Sequence, residues 1–282
     1  MSATRRAVAA LVALALPILL TGCLFLPGKF ASDMTVGADG AFDFRYKGEI
    51  IFAGHEAWEP VAEPVCNGPR PGETIDRDKE GAEEDSWKER PCTPEERSEK
   101  QAETAAQRRR SMSSQAPMMA ELLGINPGDE ASYEQFAARL RKLDGWKAVT
   151  YKGKGVFEVD YVISGTLDRD FVWPVYPQTG ASAFPMLIAA RAADGTVTVS
   201  APGFGGPQGP GISPALTAMG PRGKDNDLPK VPTDGVFTLT TAAPVVSTSA
   251  TAAVPAGARG KMMRWTVKPD SKVTPQAVLR LK

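Results

Sequence analysis

Few residues in this chain are able to do covalent or acid–base chemistry, and their spacing argues against most hydrolytic mechanisms. A serine, cysteine or metal hydrolase leans on histidine, and the 282 residues include one, His55, in Gly54-His55-Glu56-Ala57-Trp58. A triad through His55 needs a presented nucleophile, and no Gly-x-Ser-x-Gly elbow occurs. The plainer reading is a loop residue after a strand. Glu83-Glu84-Asp85 gathers carboxylates, but without the apolar neighbours that would raise a pKa toward the range general acid–base catalysis needs. Asp225-Asn226-Asp227 opens like a calcium loop and then departs from one, with Lys230 where glycine is required and Val236 where the closing glutamate should stand. The glycines between Gly203 and Gly211 are not followed by the Lys-Ser/Thr of a phosphate cradle. The expectation is therefore no catalytic residue, no metal and no cofactor, with a hydrolase built on His55 kept as an alternative.

Cysteine carries the more informative chemistry. In Leu20-Thr21-Gly22-Cys23, small residues leave the backbone open to a peptidase beside a thiol that can accept a lipid. Ahead of it lie Arg5 and Arg6 and the apolar run 7–20, which is shorter than the ~20 residues of a spanning helix. This layout resembles the signal of a bacterial lipoprotein. The resemblance implies removal of residues 1–22 and a diacylglyceryl thioether plus an N-acyl chain such as palmitate on Cys23. Stable anchoring takes more than one chain, at ~0.8 kcal/mol per buried methylene, and the double modification meets that need. Leu24 is not the aspartate that would favour inner-membrane retention, so the implied location is the cell envelope, on the outer membrane facing the periplasm. The competing reading of Cys23 is an ordinary cysteine in a cleaved secretory signal or a short anchor.

Export suits the other two cysteines. In an oxidising compartment Cys66 and Cys92 can pair, closing a loop over 67–91 for about 3 kcal/mol on the chain-entropy model. Free thiols or a metal pair are the alternatives, and neither cysteine has a Cys-x-x-Cys neighbour. The 33 basic and 33 acidic residues balance, and loss of Arg5 and Arg6 leaves 31 against 33, so no nucleic-acid partner is indicated.

The elements that must position these residues follow from periodicity. Met34 and Val36 lead through Gly37-Ala38-Asp39-Gly40 into Phe42, Phe44 and Tyr46, alternating with Asp43, Arg45 and Lys47: a hairpin over 32–52, with Gly48 marking a bulge. Thr93-Pro94-Glu95-Glu96 has capping-box spacing with proline first, predicting a helix over 94–111. Arg108, Arg109 and Arg110 then fall at its C-terminus, where they suit the helix dipole or touch anionic lipid. A second helix is predicted over 117–123, and a third from a cap at Ser132 with Phe136, Leu140 and Leu143 on one face. Strands are predicted at 146–151 and 156–167 around Lys152-Gly153-Lys154-Gly155, at 185–192 and 196–200 around Asp194-Gly195, and at 236–241, 245–251, 260–267 and 277–281. In 171–177, two prolines keep Phe171, Trp173 and Tyr176 out of a central strand, so these aromatics either contact a ligand or partner or pack across one end of a sheet.

The sum is an α+β fold: a signal at 1–22, then one domain over 23–282 whose antiparallel meander sheet is interrupted by a charged loop and helical insertion at about 67–144 and a Gly/Pro-rich excursion at about 202–232. The hairpin after Cys23, the helical region before Trp146, and the closing Arg264-Trp265-Thr266-Val267 with a last short strand resemble LppM-type lipoprotein domains. That resemblance implies an envelope module that interacts with lipid or glycolipid. The 66–92 loop and the excursion depart from it. The function expected is a non-enzymatic, lipid-anchored envelope protein that binds an apolar ligand or an envelope component. The alternative is a scaffold that holds another envelope protein through the charged helix.

Overall fold

Period-two alternation becomes two facing sheets. A computed structural model describes residues 25–52, 55, 64–68, 89–175, 185–205, 232–257 and 260–282. The lipidation motif, the acidic run at 83–85, Tyr176 and Asp225-Asn226-Asp227 lie outside the described residues. The chain divides into two compact units, one of residues 1–60 with 119–282 and the other of residues 61–118.

In the first unit a seven-stranded sheet runs in the order β12 (Ala253–Pro255), β13 (Lys261–Val267), β10 (Asp234–Thr241), β1 (Phe25–Val36), β2 (Ala41–Phe52), β6 (Val156–Thr166) and β5 (Trp146–Tyr151). A five-stranded antiparallel sheet runs β11 (Val245–Thr248), β14 (Gln276–Arg280), β9 (Thr196–Ser200), β8 (Leu187–Arg191) and β7 (Phe171–Trp173). Alternation decides the inner face. Phe30, Met34 and Val36 of β1, Phe42, Phe44 and Tyr46 of β2, and Phe157, Val159 and Tyr161 of β6 are buried, while Asp33, Asp43, Arg45 and Lys47 point outward. The opposing sheet supplies Trp173, Leu187, Ala189, Val197, Val199, Ala277 and Leu279 to the same core.

The fold is α+β, with one pairing the meander did not foresee: β1 and β10 are parallel, from Lys29↔Asp234 to Val36↔Thr241. A parallel neighbour requires a long crossover, and here β2 to β9 and both helices lie between the two strands. The bulge near Gly48 is present, with its extra residue on β1: Pro27 faces Ile50 but Phe30 faces Gly48. Gly48 has φ +147, and a Cβ there would strike the Lys29 carbonyl oxygen, so only glycine fits.

The helices differ from their predicted limits. One helix, α1 (Pro94–Leu123), replaces the two expected over 94–111 and 117–123 and carries Pro117 within it. An interior proline ordinarily breaks a helix. Here the far end is secured: Leu123 is buried, Gly124 closes the last turn at φ +61, and the Arg139 Nη2 donates to the carbonyls of Leu123 and Gly124. As a correction, Arg108, Arg109 and Arg110 stand mid-helix, and the last turn holds no basic residue, so the dipole does not account for them. Helix α2 (Glu130–Leu140) starts from Asp129, whose Oδ1 accepts the Ala131 N–H at 3.0 Å. The expected cap, Ser132, lies inside the first turn and donates to the Asp129 carbonyl. Tyr133, Phe136, Ala137 and Leu140 of α2 are buried against the β1–β2–β6 end of the core, Phe136 stacked on Phe25 at 5.6 Å.

The second unit holds the short pair β3 (Val65–Asn67) and β4 (Glu89–Pro91), not foreseen from sequence, and most of α1.

Candidate functional site

His55 follows β2 at the edge of the first unit's core and is 8% exposed. Its backbone N–H donates to the Phe52 carbonyl, and its Nε2 stands 3.4 Å from Oε1 of Glu130 in the first turn of α2. The imidazole lies 5.8 Å from the ring of Tyr133, which stacks on Tyr151 at 5.2 Å. Glu130 is also hydrogen-bonded to the Tyr151 phenol, whose pKa burial, above all, pushes up to about 12. The Tyr151 oxygen accepts the Gly155 N–H at 3.1 Å. This group ties the end of β2, the start of α2 and the β5–β6 turn together. The described contacts of the imidazole include the Glu130 carboxylate and the Tyr133 ring.

The aromatic run separates residue by residue. Phe171, Val172 and Trp173 form the edge strand β7, and the ladder stops before Pro174, as the missing N–H requires. Trp173 is 1% exposed and packs among Phe44 (5.3 Å), Tyr46 (4.6 Å), Trp146 (6.4 Å) and Tyr161 (5.5 Å). Among the described residues its buried indole N–H has no hydrogen-bond partner. Phe171 is half-buried against Phe42 and Phe44. Burial also raises the phenol of Tyr161 to about 12, and it pushes well above the ordinary range that of Tyr46, which is fully enclosed and donates to the Glu49 carbonyl at 2.6 Å. These tyrosines are core residues, protonated at any physiological pH.

In the second unit Cys66 and Cys92 form the expected disulfide, with Cα atoms 5.0 Å apart. The capping box is reciprocal: Thr93 N–H donates to Glu96 Oε2 at 2.9 Å and Glu96 N–H to Thr93 Oγ1 at 3.3 Å. Sequence reasoning missed Arg90, which grips Glu96 through both terminal nitrogens at 2.7 and 2.6 Å and donates through Nε to the Gly68 carbonyl. The Arg90 hydrogen bonds first, then that of Thr93, lower the Glu96 pKa to about 2. The only sequence signal for this clamp was a basic residue three positions before the cap. From Glu95 to Gln107 the helix is mostly exposed, and Arg110 is exposed as well. The side chains of Arg108 and Arg109 lie outside the described residues.

The first unit is thus a two-sheet α+β sandwich with one covering helix. No family model and no curated protein matches the chain. Among solved structures, the NMR structure of the folded domain of the Mycobacterium tuberculosis LppM protein overlaps 93% of this chain and 92% of its own length, at 13% identity and a TM-score of 0.31. A likeness at that level establishes neither a shared fold nor a shared function. No helix among the described residues is long and apolar enough to cross a membrane.

Proposed function

We propose that this protein is a lipid-anchored, non-enzymatic component of a bacterial cell envelope that acts by binding. The observation that carries the reading is at Cys23: the lipidation layout ends there, and two residues later Phe25 is already buried in the core. A lipid on Cys23 would therefore attach to the folded unit itself. The Cys66–Cys92 disulfide agrees with an exported chain. The setting of His55, held by a carboxylate and stacked rings, supports a structural role for it.

Of the two binding modes, a protein partner on α1 has the better support. Its N-terminal half exposes a dense run of charged side chains over Glu95–Glu103, whereas Trp173, the centre of the aromatic run, is enclosed by core rings. An apolar ligand would have to displace that packing to reach the indole.

The test is Cys23→Ala. The native chain should carry the mass of the acyl groups and stay with membranes through a high-salt wash, and the variant should lose both while keeping its circular dichroism spectrum. A variant that remains membrane-bound after the wash would overturn the anchor.

A further inference from the structure

The distance from the anchor to the fold is fixed by covalent geometry. A residue spans at most ~3.3–3.6 Å, so two residues put the Cys23 Cα within about 7 Å of that of Phe25. Phe25 does not supply slack, since its ring is stacked on Phe136 at 5.6 Å and packed on Phe52 at 5.4 Å, and Leu26 beside it is also buried. Resting on the reading that Cys23 is acylated, we propose that the first unit lies end-on against the membrane, with the Phe25 end of its sheet docked on the headgroup layer through the β5–β6 turn Lys152-Gly153-Lys154-Gly155.

Register places that turn beside the tether. Phe25 pairs with Phe52, the Phe52 N–H donates to the Gly155 carbonyl at 2.7 Å, and the Phe157 ring lies 6.2 Å from that of Phe25. At ~4.8 Å between strands, the turn stands about 10 Å sideways from Phe25. It is a rigid tip: the Lys152 N–H donates to the Val156 carbonyl, the Val156 N–H to the Gly153 carbonyl, and Lys154 holds φ +54. Both lysine side chains reach solvent, Lys152 pairing with Glu158 at 3.0 Å where both are more than half exposed. Such a pair exchanges readily for other anions. Glu130 and Glu134 lie near Tyr151 on the same end and offset the lysines, so the short tether sets the orientation, and it should hold on uncharged vesicles.

The other end of the sheet is then the far end. Twelve residues of β1 at ~3.3 Å each put Val36 and the Gly37–Gly40 turn roughly 40 Å from the Phe25 end. Lys282, whose N–H donates to the Ala38 carbonyl at 2.9 Å, lies at that end.

The experiment uses the acylated, disulfide-intact chain in phosphatidylcholine vesicles that carry a headgroup-attached spin label. A fluorophore is placed on Lys154→Cys, on Lys152→Cys or on Lys282→Cys, and acyl mass and vesicle flotation are recorded for each sample. Quenching should be at least threefold stronger at 152 and 154 than at 282, and a twenty-residue Gly/Ser insertion after Leu24, with a span of ~25 Å, should abolish the difference. A chain that is acylated and floats but quenches equally at both ends, or more strongly at 282, overturns the end-on orientation and leaves the anchor standing. A chain without acyl mass that fails to float overturns both.

Discussion

The indole of Trp173 sits where Phe44 and Tyr46 from one sheet meet β7 of the other, with Trp146 and Tyr161 closing the sides. Emptying such a site costs about 3–5 kcal/mol, through lost transfer free energy plus the cavity left behind. Trp173→Ala should therefore lower stability by that amount in urea or thermal unfolding. Trp173→Phe should cost much less, because it keeps most of the ring area and removes an unpaired N–H whose burial is itself worth about 1–3 kcal/mol against folding. A Trp173→Ala chain as stable as the parent would show that the ring does not hold the sheets together. Two prolines and three aromatics were legible as a run unfit for a central strand; which ring turns inward depends on the opposing sheet, which local spacing does not encode.

At the scale of an element, the entry to α1 is a clamp built by three consecutive parts: the disulfide, the capping box and Arg90. Glu96 has a folded-state pKa of about 2, below the unfolded value of about 4.3, so the clamp contributes fully above pH ~4.3 and is lost as pH falls through 2. A carbon-13 titration of the Glu96 carboxyl should show its midpoint near 2, and Arg90→Ala should move that midpoint upward toward the ordinary glutamate range. An unmoved midpoint would mean that Thr93 alone holds the carboxylate. The Thr-x-x-Glu spacing made the box readable in advance. Arg90 was not readable, because its partners Gly68 and Glu96 lie on either side of it and meet only when the loop closes.

For the whole molecule the decisive strand is β1. It lies between β2 and β10, and the β10 pairing joins residues about 200 positions apart in the sequence. Removing it breaks two ladders and the contacts of Phe25 with Phe136 and Phe30 with Phe204. A chain beginning at residue 24 should fold with a cooperative thermal transition, and one beginning at residue 31 should show none by far-ultraviolet circular dichroism. A cooperative transition in the shorter chain would mean that the sheet closes without the first half of β1.

What the sequence determined by itself was local: the alternation that set which face of β1, β2 and β6 is apolar, the turns at Gly37–Gly40 and Asp194-Gly195, the box that opens α1, and the pairing of the two cysteines left once Cys23 is assigned to lipid. Each follows from residues within a few positions of one another, or from counting. The tertiary structure decided the rest. It split the expected single meander into two facing sheets, made β1 and β10 parallel, carried α1 through Pro117 because Leu123 and Arg139 secure its end, and enclosed Trp173. These outcomes depend on contacts between residues far apart in the chain, where burial of apolar area outweighs local preference, and no short window of sequence contains both partners.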